Sequence, residues 1–333
     1  MVASLARSTL QPWLEATTCR PCPLCQGMRH DVISSRMQFG LDLSTVICKD
    51  CSFVFTNPLP SQATYDRFYV EAYASFYGGI TGALDAVSRG AEPTFITRRM
   101  AFIQRERSLS GARLMELGPG GGVFLYWAQV YGANVFGVEP SQSFYAGLLE
   151  QGLPAQHSTL EALLPSADHC YDIIMLSHVL EHFYDPNAAL QKLRHLLDDD
   201  GLLAIIVPDV LRPYRALDRY FLRYVHPSSF SPATLQAMLA KHGFTILQAT
   251  YEGARWYEPQ SQFVLARKLP TLPPSFAWPI EQAEAVRRHL QRYRWRWRLA
   301  LGAAWHGRNL AKRAKRHAGP LKRAFTPAAE VRP

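Results

Sequence analysis

Nothing in the 333-residue sequence is apolar for long enough to cross a bilayer. Stretches such as "GLLAIIVP" stop well short of the roughly 20 residues a spanning helix needs. The N-terminus, "MVASLARSTLQPWLEATTC", has no uninterrupted apolar core, so no secretory leader is expected and the location read from sequence is cytoplasmic. Charge is sparse, at 19% against 48% apolar residues, which excludes a disordered chain. Internal repeats are absent. A basic body is missing too: residues 1–280 hold 22 Lys/Arg against 24 Asp/Glu, leaving no clear track for a nucleic-acid backbone. The net charge of +9 belongs to residues 281–333, with 14 Lys/Arg against 3 Asp/Glu.

Composition shifts divide the chain into five segments. Residues 1–18 are expected to be poorly ordered. Residues 19–60 carry five of the six cysteines. Residues 61–110 form an aromatic-rich linker, "YDRFYVEAYASFYGG", followed by a helix-like stretch. Residues 111–268 alternate strand and helix signals, and residues 269–333 hold a proline-rich linker and a basic tail. Strand candidates are "RLMELG", "NVFGVEP", "YDIIMLS", "GLLAIIVP", "FTILQATY" and "SQFVLARK", with a short one near "PAQHS". Helical patterns lie between them. One of these begins with Ser231 as N-cap and Pro232 at the first helical position and ends at Gly243. Such alternation predicts an α/β fold, a doubly wound and mostly parallel sheet with helices on both faces, binding its ligand at the carboxyl ends of the strands.

Two phosphate-binding signatures are also missing. In "LMELGPGGGVFL" the third position of G-x-G-x-x-G falls on Val123 or Leu125, and no Gly-Lys-Ser/Thr follows. What remains is acid-x-G-x-G-x-G: Glu116, Gly118, Gly120 and Gly122. Glu139 closes the next strand candidate, where an acid is placed to accept both hydroxyls of a ribose.

Four stretches in register, "LMELGPGGGVFL", "VFGVEPS", "YDIIMLSHVLEHFYDP" and "LDDDGLLAIIVPD", resemble the successive motifs of class I S-adenosylmethionine-dependent methyltransferases over residues 95–268. The resemblance implies a Rossmann-like seven-stranded sheet with "SQFVLARK" antiparallel. It implies a methyl-donor site in which Gly118, Gly120 and Gly122 line the loop and Glu116 supports the loop and the cofactor's ammonium. Glu139 would hold the ribose, Thr159 and Leu160 would lie by the adenine, and Ser177 and His178 would face the cofactor's other side. The "FTNPLPSQATYDRFYVEAYASFYGG" segment is similar to zinc-ribbon methyltransferases of surface-polysaccharide and natural-product gene clusters. There the tyrosines lie near the cofactor, which puts Tyr73 and Tyr77 at its methionine end.

His178, Glu181 and His182 stand at i, i+3 and i+4, a spacing that shares one face of a helix. Methyl transfer to a hydroxyl or an acidic carbon needs an aligned acceptor and a base that is neutral at working pH. His178 and His226 are the candidates. Some small-RNA 2′-O-methyltransferases and ubiquinone-pathway O-methyltransferases resemble this stretch and hold a divalent metal on Glu and His residues. Glu181 and His182 match that pattern, His178 departs from it, and His226 is the nearest further ligand.

Two C-x2-C knuckles, Cys22/Cys25 and Cys48/Cys51, predict a four-thiolate structural zinc ribbon, with Cys19 as a possible substitute ligand and Cys170 as a packing residue. The tail, "RRHLQRYRWRWRLALGAAWHGRNLAKRAKR", reads as one basic helix with Tyr293, Trp297 and Leu301 on a face. Its partners would be an anionic membrane surface, a nucleic-acid backbone or its own domain. The reading is a methyltransferase acting on an oxygen or carbon of a small molecule or glycan precursor. An RNA methyltransferase or a non-catalytic S-adenosylmethionine-binding regulator are the alternatives.

Overall fold

Short apolar runs of period two become the strands of one seven-stranded sheet. In the computed structural model, which describes residues 9–14, 16–73, 92–163, 170–253, 260–272 and 283–308, these are β4 (Arg113–Leu117), β5 (Asn134–Glu139), β6 (Ala155–His157), β7 (Tyr171–Ser177), β8 (Leu197–Pro208), β10 (Phe244–Glu252) and β11 (Ser261–Lys268). Their order is β10-β11-β8-β7-β4-β5-β6. The strands β8, β7, β4, β5 and β6 run parallel, and β11 lies antiparallel to both β8 and β10.

Alternation along the strands sorts the side chains into two cores. Ile173, Met175, Ala204 and Ile206 face a layer formed by α2 (Thr94–Gln104), α3 (Val123–Val130) and α4 (Gln142–Glu150). Ile174, Leu176, Leu203 and Ile205 face α5 (Pro186–Leu196) and α6 (Pro232–Lys241) on the other side. Helix α6 starts with Ser231 in a reciprocal capping box with Thr234, with Pro232 in its first turn. Burial of this kind is worth roughly 1.5–3 kcal/mol for each fully enclosed Leu or Ile side chain, which is why the pattern outweighs local propensity.

A second, antiparallel sheet joins β1 (His30–Ser34), β2 (Thr45–Cys48), β3 (Val54–Thr56) and β9 (Ser228–Ser229). Strand β9 comes from the connection between β8 and α6, so the cysteine-bearing segment and the large sheet are stitched together. Phe53 packs against Phe230 with ring centroids 5.4 Å apart. Lys241 Nζ donates to the carbonyls of Pro23 and Leu24. Near the N-terminus Leu10 is buried in a third core, where α1 (Gln62–Glu71) contributes Tyr65 and Phe68.

The described part of the basic tail packs on the body. Helix α7 (Ala283–Arg296) buries Val286 and Leu290 in that third core. Tyr293 Oη donates to the carbonyl of Arg215 at 2.7 Å, and Arg294 pairs with Asp218 at 2.6 Å. Among the described residues, no helix is long and apolar enough to cross a membrane.

Candidate methyl-donor and acceptor site

The loop after β4 is held by its own backbone. Gly118 N–H donates to the carbonyl of Val138, and Gly120 N–H donates to Glu139 Oε2 at 2.9 Å. Gly120 has φ +54°, and a Cβ there would meet nothing within 4 Å, so the backbone presents an open face at the sheet's carboxyl edge. Gly122 differs. It is the left-handed residue preceding α3, and a Cβ would come within 2.6 Å of Leu148 and 2.8 Å of Leu153. Gly122 therefore sits where the start of α3 meets Leu148 and Leu153, with no room for a side chain.

Two buried carboxylates flank this loop. Glu139 is 4% exposed; Oε1 accepts from Ser141 N–H at 2.8 Å and Oε2 from Gly120 N–H. Each oxygen keeps a further lone pair for a hydroxyl donor. Burial pushes its pKa up, and the two amides pull it back. Glu116 is 3% exposed, with Oε2 unpartnered. Burial pushes its carboxyl up to about 8, against the opposing pull of the Arg99 guanidinium. A buried carboxyl group with a free oxygen is completed by a cationic donor, so this pair fits an ammonium at Glu116 and a ribose at Glu139.

The other residues expected around the cofactor are placed less uniformly. Ser177 closes β7, and its Oγ accepts from Arg99 at 3.2 Å. Thr159 is exposed and its Oγ1 accepts from Ala162 N–H, while Leu160 turns into the core and is 2% exposed. Leu160 thus gives only its backbone to that rim. Tyr73 stacks on Tyr69 with centroids 4.8 Å apart; burial raises its hydroxyl's pKa, and the Glu139 and Glu181 charges add to the shift. Tyr77 lies outside the described residues.

The expected helix through His178, Glu181 and His182 is not formed. His178 takes φ +57°, outside the helical region, and only Leu180–His182 make a single 3-10 turn. The backbone reversal separates the two histidines. His178 lines a groove of about 540 Å³ with Phe95, Arg98 and Tyr251. His182 turns inward, where Nδ1 lies 2.6 Å from Tyr69 Oη and its ring meets the His226 ring edge-on at 4.6 Å. Glu181 stands between them, 2% exposed, with neither oxygen hydrogen-bonded and His178 Nδ1 3.5 Å away. Donor atoms of Glu181, His182 and His226 all lie within 4.8 Å of one another.

Burial holds His182 down to about 4 and His226 well below its usual range, so both rings are neutral at pH 7 and their protonated forms need a nearby negative charge to support them. Tyr69 and Tyr65 brace this corner, since Tyr65 Oη donates to the carbonyls of His182 and Val225. Sequence reading missed both tyrosines. The signal was present as the i, i+4 and i+8 spacing of Tyr65 and Tyr69 on α1 and Tyr73 just past its end.

The four thiols Cys22, Cys25, Cys48 and Cys51 bring their sulfurs within 4.8 Å of one another, with Cys22–Cys51 and Cys25–Cys48 at 3.5 Å. Thiolates about 2.3 Å from a tetrahedral zinc stand about 3.8 Å apart, so the cluster matches that geometry. Gly27 N–H donates to Cys25 Sγ at 3.4 Å, while Cys19 is exposed and outside the cluster. Cys170 is half-buried and free.

Comparison with known proteins bears on the sheet domain. Residues 91–249 match the family model described as a methyltransferase domain. A ubiquinone biosynthesis O-methyltransferase of Xylella fastidiosa is 33% identical over 113 residues, covering 32% of this chain and 46% of that protein. The chain thus spans about half the length of that relative. An uncharacterized methyltransferase of Mycobacterium marinum is 25% identical over 235 residues, covering 65% of this chain and 84% of that protein. The solved structure of 1,6-didemethyltoxoflavin-N1-methyltransferase of Burkholderia thailandensis shares the fold, with a TM-score of 0.50 and 17% identity over 65% of this chain and 96% of that one. Sheet order, the glycine loop with its two acids, and the family match point the same way: residues 91–249 resemble a methyltransferase domain of the class I, S-adenosylmethionine-dependent kind.

Proposed function

We propose that the protein transfers a methyl group from S-adenosylmethionine to an oxygen or activated carbon of a small molecule or glycan precursor, and that zinc on Cys22, Cys25, Cys48 and Cys51 is structural. The observation that carries the reading is the pair of buried acids, Glu116 and Glu139, on either side of an open glycine loop, with Tyr73 near Glu139 and its ring 6.3 Å from that of His182. When bound, the cofactor supplies a methyl on a sulfonium. The chain supplies everything else. Glu116 meets the ammonium, Glu139 the ribose hydroxyls, and Tyr73 closes the methionine end. His226 takes the acceptor's proton onto a ring nitrogen as the methyl is transferred, and Glu181 beside it favours the imidazolium so formed. His178, on the other side of Glu181, contacts the acceptor at the groove. The test is acceptor-dependent release of S-adenosylhomocysteine across panels of phenols, sugars and RNA. Release with RNA alone overturns the small-molecule reading.

Glu116 gives this reading a pH signature. With its pKa raised to about 8, the carboxyl is largely protonated at neutral pH, and an ammonium seated against it requires the carboxylate. Binding therefore releases a proton below pH 8. S-adenosylhomocysteine affinity is expected to rise between pH 6 and 8, by up to about tenfold per unit. It falls again at higher alkaline pH, where the ligand's own amino-acid ammonium loses its charge. Glu116→Gln should flatten the rising limb, and a limb of unchanged slope in that variant removes Glu116 from the ammonium's side.

A second reading is favoured by the unpartnered oxygens of Glu181: a divalent cation on Glu181, His182 and His226 that orients the acceptor. Activity that survives chelation mild enough to leave the cysteine-bound zinc in place counts against it.

A further inference from the structure

The body-facing side of the tail helix is fully used. Val286 and Leu290 are buried, and Tyr293 and Arg294 bond to Arg215 and Asp218. The opposite side carries Arg288, Arg292, Trp295 and Leu299, at successive spacings of four, three and four residues, which form one stripe on a helix. Trp295 is 61% exposed and Leu299 78%, although both are large and apolar. Nothing in the described fold covers them. Arg296 and Arg298 flank the stripe and are exposed, with the Arg298 guanidinium 5.9 Å from the Trp295 ring. Glu284, paired with Arg288 at 3.8 Å, is the last acid before residue 330.

We propose that this outer face of the tail helix, Arg288 to Leu299, docks the enzyme onto an anionic lipid surface. A helix lying in the membrane interface needs an apolar ridge to enter the acyl boundary and cations beside it to meet the headgroups. Tryptophan is the side chain best suited to that depth. Here the ridge is Trp295 and Leu299, and four exposed arginines border it. Each arginine held near an anionic leaflet is worth roughly fivefold in binding. Because the inner face is clamped to the third core, docking presents the enzyme body in one orientation instead of on a loose tether. A nucleic-acid groove would use the arginines but would gain nothing from a solvent-facing leucine at the end of the stripe.

The test is co-sedimentation of the full-length protein with vesicles of 30% phosphatidylglycerol in phosphatidylcholine against phosphatidylcholine alone. Binding to the anionic vesicles should be at least tenfold tighter and should weaken in 0.5 M salt. The Trp295→Ser, Leu299→Ser double variant should lose tenfold or more. It should keep its circular dichroism and its affinity for S-adenosylhomocysteine, because neither side chain is packed. Arg288→Glu with Arg292→Glu should behave alike. Equal binding to both vesicle types, wild-type binding by the double variant, or capture of an RNA oligomer without vesicle binding would each overturn the proposal.

Discussion

Replacing Cys48 and Cys51 by serine is expected to lower the thermal midpoint by roughly 6 °C and to abolish methyl transfer, although neither residue touches the reacting groups. On the proposed zinc site, removing two ligands releases the metal. A loss on the order of 4 kcal/mol corresponds to a shift of about that size in a chain of this length. The effect should reach the site through a short physical path. Cys48 ends β2 and Cys51 sits in the turn into β3, and β3 pairs with β9 through Val54–Ser229 and Phe55–Ser228. His226 lies two residues before β9, and Thr56 N–H donates to the carbonyl of Pro227 beside it. The ribbon therefore holds the end of the loop that carries His226. Differential scanning fluorimetry with metal analysis checks this. A double variant free of zinc whose midpoint moves by less than 2 °C would show that the cluster bears no load.

His226→Ala is expected to lower kcat by roughly 10²- to 10⁴-fold, the range over which a positioned base acts. The dissociation constant for S-adenosylhomocysteine should stay within about twofold, because the imidazole packs edge-on against the His182 ring. His182→Ala should cost less in kcat but more in stability, since His182 ties Tyr69 to the turn. Single-turnover rates and calorimetry separate the two effects. If His226→Ala reduced cofactor affinity as much as turnover, the histidine would be a structural support and the proton would have to leave by another route.

The sheet was legible from sequence because its side chains alternate between two cores: every strand candidate formed, and "SQFVLARK" runs antiparallel as expected. The cysteine knuckles were legible for a similar reason, since two short spacings are a local property of the chain. The His178–His182 stretch was not. A helical spacing was present, but His178 adopts a left-handed backbone conformation that breaks the helix, and only the tertiary contact with α1 decides which histidine turns inward. The packing role of Gly122 was hidden for a different reason. A run of glycines looks uniform in sequence, yet only the neighbouring Leu148 and Leu153 reveal that this one is small for packing. The role of β9 in closing the ribbon's sheet rests on two residues paired with a segment more than 170 positions earlier, a separation no local pattern records.

The most direct measurement is a calorimetric titration of the purified protein with S-adenosylhomocysteine, beside Glu139→Ala. The wild type should bind one equivalent with a micromolar or lower dissociation constant. The variant should lose at least a hundredfold, since it forfeits charge-assisted bonds to both ribose hydroxyls and the tether to Gly120 N–H. Unaltered affinity in Glu139→Ala, or no binding by the wild type between pH 6 and 9, would contradict the assignment of this loop as the methyl-donor site.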